Sequence, residues 1–147
     1  MTTDPTEKRN NMKQIIATPA APKAVGPYSQ AVLLNGTLYV SGQLPLDPET
    51  GGMPEGVEAQ TRRSLQNLGA ILNAAGLDFS DIAKTTVLLA DIADFAAMNA
   101  VYAEFFPADK PARVCYQVAA LPMGARVEID AVAGPNHDAC EPDLRGE

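Results

Sequence analysis

Pro111-Ala112-Arg113-Val114-Cys115-Tyr116, followed by Val127-Glu128-Ile129-Asp130, reads as two strands that each carry one apolar and one chemically equipped face. From Val114 the apolar residues fall on even positions (Val114, Tyr116, Val118), so Arg113, Cys115 and Gln117 share the opposite face. In the second strand Val127, Ile129, Ala131 and Ala133 line one face, and Glu128 and Asp130 the other. Two readings of Arg113 and Glu128 stand open. One is an ordinary cross-strand ion pair. The other is a site, because a guanidinium fork matches a carboxylate bidentately and a second carboxylate can orient or deprotonate a water.

Outward from these strands, the punctuation is clear. Leu121-Pro122-Met123-Gly124 joins them. Gln14 to Ala17 is a candidate first strand, and Pro19, Pro22 and Pro27 mark an extended loop after it. Val32 to Val40 is a hairpin, with Asn35-Gly36 supplying the two positive-φ positions of a type I′ turn. The hairpin runs into Ser41-Gly42-Gln43, where the glycine permits close approach of a ligand or another backbone. Pro45 to Gly56 is a loop.

Val57 to Ala75 is predicted helical, since Val57, Thr61, Leu65, Leu68, Leu72 and Ala75 recur at spacings of three and four, and Gly76 follows as a C-terminal cap. Lys84 to Leu89 is a strand whose unbroken Val87-Leu88-Leu89 end suggests cover on both faces. Asp94 is placed to cap a second helix, Phe95 to Phe106, which Pro107 ends. The order β, hairpin, α, β, α, β, β predicts an α+β sandwich, with two helices on one face of a mixed sheet. The other sheet face then lacks cover from this chain, and apolar residues on it point to association with further copies. Residues 1–12 are expected to be a flexible segment, 13–133 a single domain and 134–147 an acidic flexible tail.

Composition narrows the function classes. The 147 residues carry a net charge of −7, which argues against nucleic acid as the main partner. Two cysteines, Cys115 and Cys140, do not make a disulfide framework. Met1 to Asn11 lacks the apolar stretch of a signal peptide, and no apolar run is long enough to span a membrane, so a cytoplasmic location is expected. His137 and Cys140 are metal-ligand types, but they stand alone in the acidic tail and no metal site is expected there.

The run Pro111 to Leu121 with Val127-Glu128-Ile129 resembles the signature of the YjgF family, also called reactive intermediate deaminase A (RidA). Gly26-Pro27-Tyr28-Ser29-Gln30, Ser41-Gly42-Gln43-Leu44-Pro45, Asn67 to Gly76, Lys84-Thr85-Thr86-Val87 and Asn99-Ala100-Val101-Tyr102 are similar to it as well. The resemblance spans residues 14–133. It implies a chorismate-mutase-like fold assembled as a homotrimer around a central β-barrel, with clefts between subunits. The implied reaction is hydrolysis of 2-imino acids, such as 2-iminobutanoate and 2-iminopropanoate, to 2-keto acids and ammonia, without metal or organic cofactor.

On that resemblance, Arg113 grips the substrate carboxylate and Glu128, from its own or the facing subunit, orients the attacking water. Tyr28, Ser41 and Asn99 match cleft positions, and backbone near Gly42 and Cys115 holds substrate. Cys115 is read as contributing main chain rather than a thiolate, and Asp130 as structural. The loop 45–56 and the pair Tyr116-Gln117 are candidates for setting substrate identity. The alternatives are a keto-acid-binding regulatory module without turnover, a branch acting on another small carbonyl or enamine, and the endoribonuclease or translation-inhibitor activity described for relatives.

Overall fold

A computed structural model of the protein describes residues 12–136. The expected N-terminal segment, save Met12, and the expected tail beyond Asn136, with His137 and Cys140, lie outside the described residues. Six strands and two α-helices follow in the order β1 (Gln14–Ile16), β2 (Ala31–Leu34), β3 (Thr37–Gln43), α1 (Val57–Ala74), β4 (Ile82–Leu89), α2 (Phe95–Phe105), β5 (Ala112–Gln117) and β6 (Val127–Ala133). They form one mixed sheet in the order β1-β2-β3-β6-β4-β5, in which only β4 and β5 run parallel. The parallel pair follows from α2 crossing between its two strands, which returns the chain to the same end of the sheet. This is the expected α+β architecture.

The β2–β3 turn has Asn35 at φ 53° and Gly36 at φ 79°, as the Asn-Gly signal requires. The inward face of α1 buries Leu65, Leu68, Ile71 and Leu72 completely, against Val87, Leu89, Val127 and Ile129 of the sheet. Gly76, at φ 79°, releases the chain from the helix. Asp94 stands at the N-terminus of α2 but makes no capping bond. The chain enters α2 through a 3₁₀ turn, so the first amide to need an acceptor is that of Ala93, which donates to Asp91 Oδ1 at 2.9 Å. Asp94 is left free to clasp Arg126 at 2.8 Å, tying the start of α2 to the start of β6.

Both helices pack on one face. On the other, Leu88 is only half-buried, and Ile15, Tyr39, Val114 and Tyr116 are 57%, 50%, 41% and 49% exposed. The cover expected on the second face of β4 is therefore not supplied by this chain. At the end of β6, Gly134 N–H donates to Asp81 O at 3.0 Å, and Asn136 Nδ2–H donates to Ser80 O at 2.9 Å.

Candidate active site: two half-sites on opposite faces of the sheet

Strand alternation fixes which side chains point together, but pairing register fixes where they point. Arg113 pairs with Thr85 and Thr85 with Ala131, while Cys115 pairs with Val87 and Val87 with Ile129. Thr85, Val87, Ile129 and Ala131 are all buried beneath the helices, so Arg113 and Cys115 face the helix layer. Glu128 pairs with Leu88, which pairs with Tyr116, and Asp130 pairs with Thr86, which pairs with Val114. These residues occupy the open face. Within one chain Arg113 and Glu128 therefore lie on opposite faces, which rules out the cross-strand ion pair. In β5 the apolar pair Val114 and Tyr116 turns away from the helices, the reverse of β6. β5 is an edge strand, at the opposite end of the sheet from β1.

α2 builds the bed for Arg113. Its guanidinium lies 4.8 Å from the Tyr102 ring centroid and 5.5 Å from that of Phe95. Nη1 donates to Asn99 Oδ1 at 2.7 Å. Asn99 and Tyr102 are one helical turn apart, so both reach the same spot. Tyr102 is anchored in turn by a 2.7 Å hydrogen bond with Thr85 Oγ1. Asn99 is the one hydrogen-bond partner of the Arg113 guanidinium among the described residues, which leaves most of its fork for a ligand. Beside it, burial pushes the Cys115 thiol up, against the opposing pull of Arg113, so the sulfur is protonated at neutral pH and is a poor nucleophile.

The second half-site gathers around Glu128. The ladder of β3 with β6 slips between Val40 and Gln43, forming a bulge at Ser41-Gly42. Ser41 N–H donates to Gln30 O at 2.9 Å and its Oγ–H to Ser29 O at 2.6 Å, which secures the Tyr28 loop to β3. A methyl group at Gly42 would stand 2.5 Å from Glu128 Oε2 and 3.2 Å from its Cγ. Gly42 is thus glycine because the Glu128 side chain lies across its backbone. Burial, and next the Asp130 carboxylate, raise Glu128 above the ordinary carboxylate range. Asp130 is occupied structurally, its Oδ1 accepting from Thr86 N–H at 2.9 Å. Tyr28, 53% exposed, lines a cleft of about 630 Å³ together with Ser41, Gly42, Glu128, Leu44 and Met123.

Residues 18–134 match the family model described as endoribonuclease L-PSP. The chain belongs to the endoribonuclease L-PSP family. It is 55% identical over 123 residues to a goat (Capra hircus) protein named 2-iminobutanoate/2-iminopropanoate deaminase, covering 83% of this chain and 90% of that one. Its fold matches that of the YjgF gene product from E. coli with a TM-score of 0.81 at 48% identity, covering 84% of this chain and 99% of the other. It matches E. coli TdcF, solved with bound serine, with a TM-score of 0.81 at 47% identity, covering 84% and 99%. The YjgF resemblance read from the signature residues is borne out.

In this member of the family the sequence-predicted residues divide into two groups. Arg113, Asn99 and Cys115 gather on the helix side; Tyr28, Ser41, Gly42 and Glu128 gather beyond the bulge. Several supports escaped the sequence reading. Gln30 is buried and its amide spans the loop, accepting from Thr18 N–H at 2.7 Å and donating to Pro22 O at 2.8 Å. Asn67, fully buried on α1, donates to Leu44 O at 3.0 Å and Leu46 O at 2.9 Å, holding the cleft wall. Phe95 and Tyr102 read as an apolar stripe, and only the placement of Arg113 shows their second use. A buried amide within an apolar helical stripe, as at Asn67, is the one signal that the sequence offered. Among the described residues no cluster of His, Cys, Asp and Glu is placed to hold a metal ion, and no helix is long and apolar enough to cross a membrane.

Proposed function

We propose that this protein hydrolyses small 2-imino acids to 2-keto acids and ammonia, in clefts where Arg113 of one copy meets Glu128 of another. The observation that carries it is the division of the site. One face holds a guanidinium with an unspent fork, and the opposite face holds a half-buried carboxylate with raised proton affinity. Neither half can serve a single small acid without a second copy. Ile15, Tyr39, Val114 and Tyr116, exposed on the open face, give further copies a surface to bury, and a homotrimer closed around a barrel is the assembly we infer. Relatives named for this deaminase activity, and a relative solved with the small amino acid serine, support the substrate class.

In this reading the substrate carboxylate accepts two N–H groups of Arg113, which leaves the imine carbon toward Glu128. Glu128 in its carboxylate form takes a proton from water as the water oxygen bonds to C2 and the C=N π pair moves to nitrogen. The tetrahedral intermediate then collapses. Nitrogen, left as a neutral amine when the pair enters a protonated imine, takes the proton back from Glu128; the C–N bond breaks, the hydroxyl proton passes to Glu128 as C=O forms, ammonia leaves, and Glu128 returns that proton to solvent. Raised proton affinity suits Glu128 to both directions of transfer. No cofactor enters this sequence of steps. The absence of a disulfide framework supports a cytoplasmic setting for the same proposal.

Keto-acid release is the test, with 2-iminobutanoate and 2-iminopropanoate generated in situ by an amino-acid oxidase. Wild type accelerates release, and Glu128→Gln and Arg113→Ala each lose about 10²–10⁴-fold in kcat/KM. Equal amounts of the two single variants, mixed and allowed to exchange subunits, recover activity, because mixed clefts pair an intact Arg113 with an intact Glu128. A well-folded wild type that binds keto acids without accelerating hydrolysis would replace this reading with that of a binding module.

A further inference from the structure

We propose that Lys110 is a second anion-binding residue of the Arg113 half-site, and that it extends the substrate range to 2-imino dicarboxylates. This inference rests on the deaminase reading above. A cavity of about 450 Å³ opens on the helix side of β5, and Arg113, Lys110, Asn99 and Tyr102 line it. The lining holds two cations and no carboxylate, in a chain whose net charge is −7. The nearest acids in sequence do not offset them. Glu104 is engaged by Arg62 at 2.9 Å, and neither it nor Asp109 lines the cavity.

Lys110 is turned toward this cavity by the local chain. Asp109 takes φ 48°, a left-handed conformation that aspartate tolerates, and redirects the backbone as it leaves α2. Pro111 then fixes the approach to β5. Lys110 Nζ donates to Phe106 O at 2.7 Å, so the ammonium is held at the end of α2 instead of ranging through solvent. That bond and a longer one to Pro107 O at 3.5 Å leave an N–H donor free, and among the described residues Lys110 has no carboxylate partner. Two fixed cations with donors to spare in one cavity fit a ligand with two anionic groups. Arg113 takes the C1 carboxylate as before, and Lys110 takes a carboxylate on the substrate side chain. The chemistry at C2 is unchanged.

The test compares iminosuccinate with 2-iminobutanoate, using full-length wild type, Lys110→Met and Lys110→Arg. The expected result is a loss of about tenfold or more in kcat/KM for iminosuccinate in Lys110→Met, with 2-iminobutanoate unchanged within about twofold. Lys110→Arg keeps the dicarboxylate activity. Calorimetric binding of oxaloacetate and 2-oxobutanoate gives a readout free of turnover: wild type favours oxaloacetate, the preference shrinks with added salt, and Lys110→Met abolishes it. Equal losses for both substrates, or a variant altered only in melting temperature, would make Lys110 a helix cap and overturn the inference. Turnover of neither substrate, with oxaloacetate preference intact, would overturn the deaminase reading and leave the two-cation site standing.

Discussion

Gly42→Ala tests the Glu128 half-site with a single methyl group. Gly42 does not adopt a left-handed φ, so alanine is free to take the same backbone conformation. The consequence is a collision with Glu128, whose Oε2 would lie 2.5 Å from the new carbon when ordinary contact begins at 3.4 Å. The carboxylate must retreat by about 0.9 Å, and Cγ, at 3.2 Å, yields slightly with it. Glu128 is half-buried and its end is flexible, so the fold absorbs this at about 1 kcal/mol or less. Catalysis does not, since a displacement near 1 Å of a positioned group costs about 10²-fold. The assay is kcat/KM on 2-iminobutanoate beside a thermal melt. The expected result is a loss of about 10²-fold with a nearly unchanged melt. Combining Gly42→Ala with Glu128→Gln adds little to the loss from Glu128→Gln alone, because both act through one carboxylate. A folded Gly42→Ala protein within twofold of wild type would refute the placement of Glu128 as the water-orienting group.

Four other outcomes follow from the geometry. Glu128 binds its proton more tightly in the folded chain than in the unfolded one, so it weakens the fold as pH rises from the unfolded pKa through the folded one. Glu128→Gln therefore raises the melting temperature at pH 7, and the gain disappears below the ordinary glutamate pKa of about 4.3. Asp130→Asn, which keeps an oxygen for Thr86 N–H, moves the acid limb of the wild-type pH–kcat/KM profile to lower pH. Cys115→Ala retains activity within about threefold, since a protonated thiol beside Arg113 is not the nucleophile; a complete loss with intact folding would contradict this. Gly69→Ala, whose methyl would meet the Phe79 ring at 2.8 Å, destabilises the fold by about 1–3 kcal/mol in denaturant melts, because that ring is itself packed edge-on against Phe105 and Phe106.

Much of the fold was legible because it rests on local rules. The Asn35-Gly36 turn, the buried stripe of α1, the Gly76 stop and the alternation of β5 and β6 each follow from a few neighbouring residues. Boundaries moved where tertiary contacts extended or trimmed an element: β4 begins at Ile82 rather than Lys84, and α2 ends at Phe105. Gly69 shows the limit from the other side. A glycine inside a helix reads as a weakness, and only the ring of Phe79 lying against it gives the reason.

The candidate residues themselves were visible as types in a pattern: an arginine and a glutamate on alternating strands, a glycine and serine after a hairpin, a tyrosine in a proline-rich loop. Their division was not. Alternation assigns Arg113 and Cys115 to one side of β5, and Glu128 and Asp130 to one side of β6, but it is blind to which side meets the helices. That choice belongs to strand order and register. β6 sits at the centre of the sheet and turns Val127 and Ile129 into the core, whereas β5 sits at the edge and turns Val114 and Tyr116 outward. The sequence by itself determined the elements and the chemical groups, since these depend on periodicity and side-chain type. Only the tertiary structure set Arg113 and Glu128 on opposite faces, because pairing between strands distant in sequence decides which way each face looks.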